Sequence, residues 1–166
     1  MRISSLFLNT ILLTLVGSFS SATYAADSGI KVTSIAQTEV ETVGMDGKKK
    51  LQRTPVTKAI PGTDVIYTNT FENLTSKPID KNFVIDNPIP NDSEYTGGSA
   101  FGKDCEILFS VDGGKKFGNA EDLKIKNADG KERTALAREY THVRWIYKKQ
   151  LAPGKSGEVG FRATIK

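Results

Sequence analysis

The 166-residue chain has one cysteine, one histidine and one tryptophan. A lone cysteine, Cys105, excludes an internal disulfide. A lone histidine, His142, leaves a catalytic triad or a tetrahedral zinc site without the partners either would need at a defined spacing. No stretch alternates strand and helix signals, which excludes a parallel nucleotide-binding sheet. Basic runs are short, Lys48-Lys49-Lys50 and Lys148-Lys149, and charges of both signs are mixed along the chain. A nucleic-acid surface calls for a larger patch of one sign, so none is expected. The lysines read as solubilising charges beside turns and on strand edges, where they oppose sheet-to-sheet aggregation.

The one long apolar run lies at the start. Arg2 precedes it, residues 6–16 are apolar apart from Asn9, Thr10 and Thr14, and small residues follow. This order predicts a secretory signal peptide over residues 1–25, too short to span a membrane, cut after Ala25 with Thr23 at the −3 position. Residues 26–166 then form one domain of about 141 residues, enough to bury roughly two thirds of its surface without staples. No integral membrane segment is expected after cleavage. Loss of Arg2 takes the formal net charge from +4 to +3, 22 basic against 19 acidic residues.

What is present is β patterning. Residues 59–90 organise the rest. Pro61-Gly62 opens a strand in which Val65, Tyr67 and Phe71 alternate with Thr68, Thr70 and Glu72. Period two over this length predicts a half-buried strand. Phe83, Val84 and Ile85 make a second, closed by Asp86-Asn87-Pro88 and Pro90. Before them, residues 30–43 alternate weakly as one or two strands. Asp46-Gly47 signals a two-residue hairpin, and residues 51–56 form a polar strand that Pro55 assigns to an edge.

After them, Tyr95 is expected to turn inward from a loop. Ile107, Phe109 and Val111 share one strand face. Asp112-Gly113-Gly114 reads as a turn, with residues 115–117 returning as a partner strand. Leu123 and Ile125 precede an Asp129-Gly130 turn. Residues 134–140 carry helix formers but are too few for a stable helix. Val143, Trp145 and Tyr147 alternate with His142, Arg144 and Lys148, then Val159, Phe161, Ala163 and Ile165 with Glu158, Arg162 and Thr164. Seven to nine short strands with turn signals between them predict an all-β, antiparallel β-sandwich. A closed barrel is the alternative.

Several of these residues also carry a family likeness. Ile60-Pro61-Gly62, Val65-Ile66-Tyr67, Phe71-Glu72-Asn73, Asp86 to Pro90 and Tyr95-Thr96-Gly97-Gly98-Ser99-Ala100 occur in order. So do Phe109 to Gly114, Tyr140 to Trp145 and Leu151-Ala152-Pro153-Gly154. Together, over roughly residues 35–166, the chain resembles the conserved repeat domain of prokaryotic surface proteins, domain of unknown function 11. Thr63 stands between Pro61-Gly62 and Asp64, and Asn87 between Asp86 and Pro88, where the family pattern has neither. The resemblance implies an immunoglobulin-like sandwich and an exported setting at the cell surface, in the matrix or in the periplasm. It implies no catalytic residue.

Candidate chemistry is sparse. His142 falls on the face opposite Trp145 and is expected to face solvent. Cys105, beside the strand that Ile107 opens, is expected to be a buried and unreactive thiol; the alternative in an exported protein is an exposed thiol or an intermolecular bridge. Asp112-Gly113-Gly114 with Asp86, Asp92 and Asp104 could offer oxygens to calcium, but the alternating acids and closing Glu of an EF-hand loop are missing. Glu121-Asp122 are adjacent, whereas glycoside hydrolysis needs two carboxylates across a cleft. Trp145 and Tyr147 could form a sugar platform, yet their alternation with charged residues places them in the core. Asn73-Leu74-Thr75 and Asn91-Asp92-Ser93 fit the glycosylation pattern, which counts only on a eukaryotic secretory route. The expectation is an exported, non-enzymatic structural or adhesive module that binds another protein or itself, with no catalytic, metal or cofactor residues. The alternative is a module that binds calcium or a glycan through the loops at one end. A free N-terminal segment, residues 26–32, could add to a neighbour's sheet edge; pairing within its own sheet is the simpler expectation.

Overall fold

The computed structural model describes residues 29–166. The signal peptide expected over residues 1–25 and its cleavage site lie outside the described residues. The described residues are all-β with antiparallel sheets. Its strands are β1 (Ile30–Val43), β2 (Lys49–Pro55), β3 (Asp64–Asn73), β4 (Val84–Pro88), β5 (Ser93–Tyr95) and β6 (Phe101–Gly102). They continue with β7 (Cys105–Ser110), β8 (Lys124–Lys126), β9 (Glu132–Thr134), β10 (His142–Tyr147) and β11 (Ser156–Ile165). Of these eleven, β5, β6, β8 and β9 are only two or three residues long. Residues 134–140 contribute one 3₁₀ turn, Ala137–Glu139. Among the described residues, no helix is long and apolar enough to cross a membrane.

The larger sheet runs β2-β1-β3-β11-β5, with β6 also on β11; the smaller runs β4-β10-β7. β8 and β9 form a separate hairpin. The two sheets turn their apolar faces to one core, consistent with a β-sandwich. Phe71, Val159, Phe161 and Ala163 come from the larger sheet, Ile85, Val143 and Trp145 from the smaller. The ring of Trp145 stacks near that of Phe161, centroids 6.3 Å apart.

The central strand β3 departs from simple alternation. Thr68, expected to face outward, is buried, and so is Ile66. Both lie on the outer row of the sheet, where register sets Ile66 between Gln37 and Arg162, and Thr68 between Ile35 and Gly160. The ring of Phe101 lies over Gly160, where a Cβ would come within 2.7 Å of it. That cover explains why Val65, Ile66 and Tyr67 read as a continuous apolar run.

Three boundaries differ from expectation. β4 runs on through Asp86, Asn87 and Pro88 instead of stopping at Ile85. It is an edge strand, so the N–H that proline lacks is not required on its open side. Residues 115–117 form no strand. Asp112 Oδ1 accepts the backbone N–H groups of Lys115 and Lys116 at 3.1 and 3.0 Å, which takes these donors out of any ladder. The Asp46-Gly47 hairpin exists, but its connection is the five residues between Val43 and Lys49. Gly47 sits at φ 73° and donates to Gly44 O, and Gly44 N donates to Lys48 O. This is the longer hairpin loop with a glycine in the left-handed region. Ile30 to Gln37 pair with β3 of their own sheet, so this part of the N-terminal segment is an ordinary intramolecular strand.

Candidate functional site

Two features stand out at one end of the molecule. The first is an open cavity of about 240 Å³. β5 supplies Tyr95, β7 supplies Ile107 and Phe109, and Tyr140 follows the 3₁₀ turn. The remaining wall is small: Gly97, Gly98 and Ala100 after β5, then Ala120 and Ala137. Three aromatic rings form one cluster. Phe109 stacks on Tyr140 with centroids 4.7 Å apart, and Tyr95 lies 5.4 Å from Phe109 and 5.7 Å from Tyr140. The hydroxyl of Tyr95 accepts the N–H of Ala100 at 3.0 Å, which braces the intervening loop. Gly98 turns that loop at φ 73°, a conformation costly for side chains other than glycine. Burial pushes the Tyr140 phenol above its ordinary pKa, with Tyr95 and Glu121 adding to the shift. The cavity is therefore an apolar, aromatic recess with no charged side chain in its wall.

The second feature is an arm. β1 leaves β3 at Gln37, paired with Ile66, and continues with β2 alone. Among the described residues, no other strand lies beside residues 40–52. The base is tied down by Glu39, which accepts from Arg162 at 2.8 Å and pairs with Arg53 at 3.6 Å. The Arg162 hydrogen bond and charge lower the Glu39 pKa. Beyond that base the arm exposes Met45 fully, and Val43 and Leu51 to 68% and 69%. The register pairs Val43 with Lys49 and Glu41 with Leu51, so Val43 and Leu51 share one face as diagonal neighbours. Glu41 and Lys49 bridge across that face at 2.7 Å. The arm departs at the level of Asp64, to whose carbonyl Thr38 Oγ1 donates. Asp64 pairs with Thr164, and Thr164 with Glu94, one residue from Tyr95. Arm and cavity thus share one end of the larger sheet.

The residues singled out from sequence lie elsewhere and are engaged structurally. His142 is half-buried rather than solvent-facing. The turn at Gly114 lies over its imidazole, and the Phe117 ring meets it edge-on. Arg144 on the same outer face makes a two-point pair with Asp86, both contacts 2.7 Å, and lies 3.7 Å over Phe117. Asp112 spends one oxygen on Ser110, Lys115 and Lys116, and these bonds lower its pKa, the Lys116 N–H most. Among the described residues no three His, Cys, Asp or Glu side chains gather as a metal site, so Asp86, Asp92, Asp104 and Asp112 are not brought together. Cys105, at the start of β7, is half-buried rather than buried; burial, and secondarily Asp104, push its thiol up to about 11. Trp145 is fully buried and Tyr147 half-buried against Phe71 and Phe83. Asn73 is wholly buried, with its amide committed to backbone groups, so it is no acceptor for a glycan.

Neither cavity nor arm is legible as a motif. The small-residue run Gly97-Gly98-Ser99-Ala100 and the apolar residues flanking Asp46-Gly47 are the only signals that bear on them. Comparison of the chain with family models, with curated proteins and with solved structures found no match.

Proposed function

We propose that this chain is an exported, non-enzymatic module of immunoglobulin-like type that works by protein–protein association. The observation that carries the reading is the arm. Folding removes large apolar side chains from water wherever a partner exists. Val43, Met45 and Leu51 are instead held away from the core on a braced two-stranded projection. Apolar groups concentrated on a projecting element mark interaction surfaces. The leader-like order of residues 1–25 and the likeness to the surface-protein repeat domain support an exported setting. The test is made on cells producing the full-length chain. Fractionation with mass spectrometry should find the protein outside the cytoplasm with Ala26 as its first residue. Cross-linking in that fraction should join it to a protein partner. An intact Met1 terminus in the cytoplasm, or a monomer that cross-links to nothing, overturns the reading.

A further inference from the structure

The arm and the cavity fit each other, and they do not meet within one molecule: Met45 is fully exposed. We propose that the arm tip of one copy seats Met45, with Val43 and Leu51, in the Tyr95–Phe109–Tyr140 cavity of a second copy, the two molecules meeting end to end. This rests on the association reading above and names its partner.

Size, chemistry, charge and reach all agree. An apolar cavity of ~150 Å³ already accepts a benzene ring, so about 240 Å³ holds the methionine side chain with room for a neighbour. Methionine suits this recess because its thioether is flexible and packs favourably on aromatic rings. The arm tip carries Lys48 and Lys50, neither of them in an ion pair among the described residues, beside Asp46. The residues next to the cavity wall include exposed Glu94, Glu121 and Asp122 against two exposed cations, Arg138 and Lys124, the latter donating to the Glu121 carbonyl at 3.3 Å. A tip with an excess of positive charge therefore approaches a rim with an excess of negative charge, which favours this orientation of encounter. From Thr38 to Met45 the arm extends ~23 Å at strand rise, and β1 stands three strand spacings, ~14 Å, from β5. An arm passing alongside a facing copy reaches its cavity. Because both features lie at the same end, each copy can give one arm and take one. The contact closes as a two-fold pair rather than propagating.

The exported chain is examined by sedimentation velocity across a concentration series. The native chain should show a reversible dimer. Met45→Glu on the arm and Ala120→Leu in the cavity should each raise the dimer dissociation constant by about tenfold or more, with unchanged thermal unfolding at concentrations where the native chain is monomeric. Should Ala120→Leu itself lower the melting temperature, Ala137→Leu narrows the same cavity from the 3₁₀ turn. The decisive sample is the mixture of arm and cavity variants. One intact arm then meets one intact cavity, and the mixture should dimerise more tightly than either variant alone. A mixture no tighter than its components overturns the proposal. A native oligomer that both variants leave unchanged overturns this contact while association stands. A native chain that is monomeric throughout, yet cross-links to another protein in cells, overturns self-docking alone. A monomer with no cross-linked partner overturns both.

Discussion

Trp145 on β10 donates its indole N–H to the backbone carbonyl of Phe101 on β6 at 3.0 Å, joining the smaller sheet to the larger across the core. The ring is fully buried between Phe161 and the backbone of Gly102, where a Cβ would sit 2.9 Å from the indole. Truncation removes both the packing and the bond. Trp145→Ala should cost about 3–5 kcal/mol in urea unfolding, a large part of the roughly 5–15 kcal/mol that holds a domain together. Trp145→Phe keeps most of the ring but leaves the Phe101 carbonyl unpaired, and should cost ~1–2 kcal/mol. Equal melting of parent and Trp145→Ala would place the indole on the surface.

Asn73 ends β3 and ties three segments together. Its amide nitrogen donates to Lys77 O at 2.8 Å and Leu151 O at 2.9 Å, while its oxygen accepts the Thr75 N–H and hydroxyl at 2.8 and 2.7 Å. The side chain is fully buried, so each group stranded by truncation stays away from water. Asn73→Ala should lose about 3 kcal/mol by urea unfolding. Asn73→Asp turns a carboxylate oxygen toward two carbonyls and should lose more. An Asp variant as stable as the Ala variant at neutral pH would refute that orientation of the amide.

Part of this structure is written in period two. Val143, Trp145 and Tyr147, like Val159, Phe161 and Ala163, alternate with polar residues, and their strands lie where that alternation puts them. Gly113 and Gly130 turn at positive φ, as their Asp-Gly contexts require. The rest depends on contacts between distant residues. Thr68 looks outward by parity and is nonetheless buried, beside Gly160, over which Phe101 lies. Residues 115–117 look like a strand until Asp112 takes the donors of Lys115 and Lys116. The cavity draws its wall from Tyr95 through Tyr140 with no periodic relation among its members. Val43, Met45 and Leu51 are ordinary β formers or fillers by type; only the register shows that β1 outruns β3.

Glu139 makes the fold sensitive to acid. Its carboxylate accepts from both terminal guanidinium nitrogens of Arg133 and from the N–H of Leu136 at 2.7 Å. The Arg133 bonds, then the Leu136 N–H, hold its pKa at about 2 against an ordinary 4.5. The folded state therefore keeps this charge where the unfolded chain takes up a proton. Its contribution is complete above 4.5 and is lost as pH falls toward 2. Glu39 and Asp112, lowered by Arg162 and by the Lys116 N–H, act in the same direction. In urea unfolding through that window the parent should lose stability more steeply than Glu139→Gln, which keeps the slope due to the other two. Parallel curves would show that the Arg133 pair contributes nothing.

Thr68 offers the opposite outcome, a core substitution that stabilises. Its hydroxyl oxygen is the one buried side-chain polar atom without a hydrogen-bond partner among the described residues. It sits at the centre of the larger sheet, with Ile35 and Gly160 opposite it on the two neighbouring strands. A hydroxyl taken from water without a partner costs ~1–3 kcal/mol by protein mutational scales. Valine has the same branching, so the strand geometry and the rotamer are kept, and a methyl in place of the hydroxyl meets apolar neighbours. Thr68→Val should therefore raise stability by about 1 kcal/mol, read as a higher urea midpoint at unchanged slope. Thr68→Ser keeps the unpaired hydroxyl and removes the methyl, and should lower the midpoint. A fall in the midpoint for Thr68→Val would mean that the hydroxyl has a partner in solution, an ordered water beneath the Phe101 ring.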